Sequence, residues 1–163
     1  AAMGVLIGQI FGRWGNFMNR EAHGAVTDCF FKMGLMDASG AVTYYHPTFL
    51  YESVWNLVGF LALHFLTKKR KFDGQIFLSY LTWYGLGRVW IEGLRTDSLY
   101  LFSTGIRVSQ LVAALCVVIG GGALAFMLIK KKPDPAQLYV NQKAAREAEA
   151  AQEDAEAEKP ENL

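Results

Sequence analysis

The sequence predicts an all-α fold: a polytopic membrane helix bundle of about three full spans and a truncated first one, each span needing about 20 residues. An outer loop region and a disordered or loosely helical C-terminal tail complete the expectation. Three observations lead there. Hydrophobic residues make up 52% of the 163 positions, with 11 Phe, 7 Tyr and 4 Trp. Charge is sparse until the end of the chain, and two basic clusters, residues 68–71 and 130–132, each close an apolar run. The division is a membrane domain at 1–132 and an Ala/Glu-rich tail at 133–163. A net charge of +1 gives no basis for a nucleic-acid partner.

The first apolar run, residues 1–11, is too short to span, so the chain is expected to begin inside a membrane helix. The stretch GRWGNFMNREAHG follows at 12–24. Its glycines permit close approach to the main chain. Arg13 supplies a permanent charge and a planar donor fork suited to phosphate or carboxylate. Asn16, Asn19 and Glu21 add amide and carboxylate groups. Composition alone supports two readings, a polar site at a membrane surface or a glycine-rich turn with solvated charges. Residues 25–45 read as an exposed loop, whose aromatic and β-branched residues allow a short hairpin around Asp37–Gly40.

His46-Pro47 opens the first complete span, residues 48–66, with Pro47 suited to the first helical turn. Glu52, Asn56 and Gly59 recur at i, i+4 and i+7, which puts them on one face. That face should look into the bundle, because a carboxylate is costly in lipid. Equally, an acid near a helix start is favoured by the helix dipole. Asp73-Gly74 turns the chain into a second span, residues 75–91. Tyr80, Tyr84, Arg88, Glu92 and Arg95 follow at helical spacing on one stripe. A charged arginine at such a position marks a functional site or a structural ion pair with Glu92. The tyrosines read as bundle packing. After a loop at 96–104, residues 105–129 form the most apolar span, and Gly120-Gly121-Gly122 permits close helix packing. Pro133 and Pro135 stop it. The tail lacks an apolar stripe, so nothing drives it into a core.

No Cys-x-x-Cys or Cys/His cluster with metal spacing is present, and no metal is expected. Cys116 reads as a small buried hydrophobe. Cys29 has no His or Lys neighbour in the sequence that marks it as reactive.

Basic loops stay cytoplasmic, which puts residues 68–71 and 130–132 on that side. Alternating spans then set Arg13, Asn16, Glu21, His46, Tyr51, Glu52, Arg88, Glu92 and Arg95 toward the outer half of the membrane. With at least three arginines and two nearby acids, the constellation is poised for an anion, and at an outer leaflet that anion is a lipid headgroup phosphate.

The spacing G-R-x-G-N-F-x-N-x-E-x-x-G, eight fixed positions in thirteen, resembles the signature of the prolipoprotein diacylglyceryl transferases. His46-Pro47-Thr48-Phe49-Leu50-Tyr51-Glu52, and Gly87-Arg88 with Glu92 and Arg95, resemble two further stretches of that family, in its order. The resemblance covers roughly residues 1–130 and the later part of the family's fold. It implies a multi-pass protein of the bacterial cell membrane. Such an enzyme transfers the diacylglyceryl group of phosphatidylglycerol to the lipobox cysteine of a prolipoprotein signal peptide, the first step of lipoprotein maturation, without a cofactor. By the same resemblance Arg13 binds phosphatidylglycerol together with Asn16, Glu21 and Gly24. Arg88 stabilises the leaving group, with Glu92 and Arg95 orienting it and contributing to the lipid site. His46, Tyr51 and Glu52 support from behind. The family's earlier histidine motif has no counterpart here, so neither His23 nor His46 is assigned as base, and activity of this fragment alone is not implied. Two other classes fit the Arg/Glu stripe: a transporter or channel segment, and a non-catalytic scaffold that binds anionic lipid.

Overall fold

The computed structural model describes residues 1–95 and 107–157. Helix α1 (Ala2–Met18) leads to a two-stranded hairpin, β1 (Met33–Met36) and β2 (Val42–Tyr45). Helices α2 (Thr48–Lys68), α3 (Gln75–Leu94) and α4 (Val108–Ala125) follow, then α5 (Tyr139–Ala157). A π-helical turn, Phe126–Lys131, prolongs α4, so helical backbone runs unbroken over Val108–Lys131. The predicted loop at 96–104 lies outside the described residues.

Among the described residues, two helices are long and apolar enough to cross a membrane: Thr48–Lys68 and Val108–Lys131. The burial pattern is inverted relative to a bundle that folds in water. Helix α2 buries Thr48, Glu52, Ser53, Asn56, Gly59 and Leu63, a stripe of helical period that is mostly polar or small. Its outward face carries Val54, Leu57, Val58, Leu61 and Phe65. Helix α4 likewise exposes Val112, Leu115, Val118 and Ile119. Contiguous apolar surface of this kind suits lipid or further helices, not water.

The hairpin anticipated around Asp37–Gly40 forms, and it qualifies the all-α expectation. Its register pairs Met33 with Tyr45 and Met36 with Val42. Asp37 builds the turn: its carboxylate accepts from the Ser39 N–H (2.8 Å), the Ser39 hydroxyl (2.6 Å) and the Ala41 N–H (3.0 Å). Those donors hold the Asp37 carboxyl below the usual carboxylate range, the Ser39 hydroxyl foremost.

The signature stretch departs from a turn. Helix α1 continues through Gly12 and Gly15 to Met18, carrying Arg13 and Asn16 on helical backbone. Two interior glycines disfavour helix by roughly 1 kcal/mol each. Aromatic packing offsets that. Trp14 and Phe17 meet Phe49 at ring-centroid distances of 5.5 and 4.7 Å, and Trp14 Nε1 donates to Ser53 Oγ (3.2 Å). Only after Met18 does the chain turn sharply, with Arg20 and Ala22 at positive φ.

Helices α2 and α3 are joined by a reciprocal clasp. Trp55 Nε1 donates to the Trp83 carbonyl and Trp83 Nε1 donates to the Trp55 carbonyl, both at 3.1 Å. The two indoles stack with centroids 4.4 Å apart. Each lies flat on a glycine of the opposite helix: a Cβ on Gly59 would fall 2.2 Å from Trp83 Nε1, and one on Gly87 2.2 Å from Trp55 Nε1. Helix α4 packs on α3 through Gly120, where a Cβ would meet Thr82 Oγ1 at 2.8 Å. Gly122 faces open space, so the expected close packing rests on Gly120.

The tail differs from expectation at its start. Leu138 is buried, and the Tyr139 N–H donates to Asp73 Oδ2 (2.8 Å), which docks the segment against the turn between α2 and α3. Beyond that contact α5 is helical and, where its side chains are described, exposed.

Candidate functional site

Late α1, early α2 and late α3 bring their charged residues to one end of the bundle. Periodicity explains why: Glu52 lies on the buried stripe of α2, and Arg88 and Glu92 are one turn apart on α3. Glu52 is the hub. Its Oε2 lies 2.6 Å from Arg13 Nε, and its Oε1 lies 3.1 Å from Arg88 Nη1 and 3.9 Å from Arg95 Nη1. Arg88 reaches the other way with Nη2, 3.1 Å from Glu92 Oε2. Arg88 thus bridges both carboxylates with one planar fork, which a lysine cannot do. Arg107, at the start of α4, donates to the Glu92 carbonyl.

This arrangement settles where the predicted residues lie. Arg13, Glu52, Arg88, Glu92 and Arg95 converge, although they come from three helices. Glu52, expected behind the arginines, is at their centre. Glu21 is not drawn in: it is exposed and accepts from Asn19 Nδ2 (3.1 Å). Asn16 is half-buried one turn beyond Arg13, and its carbonyl accepts the Glu21 N–H (3.0 Å). Gly24 serves packing. Its N–H donates to the His46 carbonyl (2.9 Å), it bridges Arg95, and a Cβ there would fall 2.6 Å from His46 Cβ and 2.9 Å from the Leu94 carbonyl oxygen. Any side chain at position 24 would push the end of α3, and Arg95 with it, away from α2. His23 stacks on Tyr45 and lies outside the charged cluster.

Sequence reasoning missed Gln9 and Arg107, and it read Tyr84 as bundle packing. Gln9, Asn56 and Tyr84 join Arg13, Glu52 and Arg88 around a small cavity of about 10 Å³, room for one water centre. The Gln9 Oε1 atom is buried with no hydrogen-bond partner among the described residues, a suitable anchor for that water. Tyr84 and Asn56 lie at helical spacing from Arg88 and Glu52, a signal the sequence carried. Arg107 and Gln9 had no such signal. An apolar cavity of 390 Å³ opens beside the cluster, lined by Phe31, Leu50, Tyr51, Val54, Trp55, Val58 and Trp90. Trp55 lines both cavities.

Cys29, which has no marking neighbour in the sequence, gains one in the fold. The 24–26 segment pairs with the end of β2, through the His46 N–H to the Ala25 carbonyl (3.0 Å) and a Val26–Tyr45 bridge. That fold-back sets Cys29 Sγ 3.7 Å from both His46 Nδ1 and Tyr51 Oη, which are 3.3 Å from each other. No metal-ligating cluster occurs among the described residues.

Comparison with known proteins gives the family. The family model for prolipoprotein diacylglyceryl transferase matches residues 1–127. A phosphatidylglycerol–prolipoprotein diacylglyceryl transferase of Lysinibacillus sphaericus (strain C3-41) is 48% identical over 152 residues, covering 88% of this chain and 55% of the relative. Proteins of the same name from Enterococcus faecalis (strain ATCC 700802 / V583) and Clostridium botulinum (strain Langeland / NCTC 10281 / Type F) are 44% and 51% identical. They cover 88% and 73% of this chain, and 53% and 48% of their own lengths. The chain spans about half the length of the curated relatives it matches. With a family match over residues 1–127 and the charged cluster assembled from the motif residues, the chain belongs to the prolipoprotein diacylglyceryl transferase family.

Proposed function

We propose that these residues form the lipid-holding and leaving-group part of a phosphatidylglycerol–prolipoprotein diacylglyceryl transferase, which carries out the first step of bacterial lipoprotein maturation. One observation carries the reading: three arginines converge on a single buried glutamate beside an apolar cavity. Adjacent cationic and apolar surfaces suit an anionic lipid, its headgroup on the arginines and an acyl chain in the cavity.

In this reading the lipobox thiolate attacks the glyceryl carbon. A carbon–sulfur bond forms, the carbon–oxygen bond to phosphate breaks, and glycerol phosphate departs with the electron pair. Arg13 binds the headgroup, and Arg88 faces the charge that develops on the departing phosphate. Glu52 holds both guanidiniums in place until phosphate competes for them. Asn16 on α1, with Glu21 and Gly24 in the turn after it, shapes the headgroup site, while Glu92 and Arg95 fix the Arg88 fork. His46 and Tyr51 stand beside the cluster and support its position. No cofactor is required. The cluster faces the outer side of the membrane in this proposal. Supporting that orientation, the basic residues 68–71 and 130–132 lie at the opposite helix ends, the cytoplasmic side by charge. The tail is then cytoplasmic.

The test grafts residues 1–132 in place of the matching half of the Lysinibacillus sphaericus relative, alongside the chain itself. Both are assayed in phosphatidylglycerol vesicles with a lipobox-cysteine peptide, followed by mass spectrometry. The chimera should add diacylglyceryl mass, and Arg88→Ala should reduce its rate by at least about 100-fold, the scale of one lost charge-stabilising donor. A folded chimera without transfer would sink the reading and favour a lipid-binding or transport role.

A further inference from the structure

Cys29, His46 and Tyr51 form a cluster that the transferase reading leaves unused at its thiol. We propose that Cys29 is a nucleophile that captures soft carbon electrophiles bearing an apolar chain, with His46 and Tyr51 handling its proton and the neighbouring cavity holding the chain. The ligand class is an α,β-unsaturated carbonyl, such as an enal derived from a membrane lipid.

Three observations support it. The thiol lies 3.7 Å from a histidine nitrogen, a group that activates cysteine elsewhere, and 3.7 Å from a phenol oxygen whose hydroxyl can donate to the thiolate. It is partly exposed and free of any disulfide. Tyr51, which touches it, and Phe31, two residues on, also line the 390 Å³ apolar cavity. The surroundings favour the thiolate. The Tyr51 hydroxyl is the largest influence lowering the Cys29 pKa, partial burial opposes it, and the Thr27 hydroxyl, the Phe31 N–H and Lys32 help. Lys32 also pairs with Asp28 (3.2 Å) and sits over the Tyr44 ring, so it adds little.

The chemistry balances without a redox partner. The Sγ proton passes to His46. Sγ then bonds to the β-carbon, and the alkene π pair moves onto the carbonyl as an enolate. The α-carbon recovers a proton from the His46 imidazolium or from water.

The experiment uses the full chain in phosphatidylglycerol vesicles, with N-ethylmaleimide and N-dodecylmaleimide as probes and peptide mass spectrometry to separate Cys29 from Cys116. At pH 7 Cys29 should react with N-ethylmaleimide roughly tenfold faster than glutathione in the same buffer, with a pH–rate inflection below that of glutathione. Tyr51→Phe and His46→Ala should each remove most of that gain, circular dichroism confirming that both fold. N-dodecylmaleimide should react faster still at Cys29. Val58→Trp, which fills the cavity, should abolish the chain-length gain and leave the N-ethylmaleimide rate alone. Three results would each overturn the proposal: a Cys29 rate equal to glutathione, indifference to both Tyr51→Phe and His46→Ala, or a chain-length gain that survives Val58→Trp. The N-ethylmaleimide arm does not depend on diacylglyceryl transfer, whereas the chain-length arm shares the cavity that the transferase reading gives to an acyl chain; Cys29→Ser is expected to leave transfer by the chimera intact.

Discussion

A single carboxylate, Glu52, decides the electrostatics of the site. Three guanidiniums within 4 Å of it would repel one another without it, and its side chain is only 9% exposed. Removing one partner from a buried ion network leaves the others uncompensated, which costs about 3–5 kcal/mol. Glu52→Ala should therefore destabilise the chain by roughly that amount, read as the unfolding free energy by circular dichroism in mixed micelles. Combining it with Arg13→Ala should cost less than the sum of the two single changes. A loss under about 1 kcal/mol would mean that the arginines are already solvated, as at a surface pair.

Helix pairs fix the register of those residues. The Trp55–Trp83 clasp locks α2 against α3 one turn from Glu52 on one side and at the Gly87–Arg88 step on the other. Gly59→Ala drives a methyl into the Trp83 indole, and overpacking of this kind costs about 1–3 kcal/mol. The same unfolding measurement on Gly59→Ala, Trp83→Phe and the double variant should find the double variant less destabilised than the sum. Additivity within about 0.5 kcal/mol would show that the two side chains do not compete for the space.

Across the whole molecule, stability resides in the bundle and in the docked start of the tail, not in the exposed turns of α5. Leu138 is 6% exposed, docked beside the turn at Asp73, whereas α5 has no described side chain in a core. Leu138→Ala should cost about 2–3 kcal/mol. Ending the chain after Ala145 should change stability by no more than about 0.5 kcal/mol, since every described side chain removed, those of residues 146–152, is exposed. Equal effects of the two changes would mean that α5 packs on something.

The sequence by itself determined what depends on local chemistry and on a single helical period. The apolar runs set α2 and α4. The spacing of Glu52, Asn56 and Gly59 set the buried face of α2, and the motif arginines and glutamates were each readable before any fold was known. The aromatic and β-branched residues of the 25–45 loop allowed a hairpin around Asp37–Gly40. Tertiary structure alone decided what depends on two or more elements meeting. Glu52 became the hub because α1 and α3 both deliver arginines to it. Gly24 proved to be a packing crossroads between β2 and α3. Cys29 acquired His46, 17 residues away in the chain, only when the 24–26 segment folded back along β2. A period shows which face a residue takes within its own helix. What stands opposite that face is set by packing between helices, which no single segment encodes.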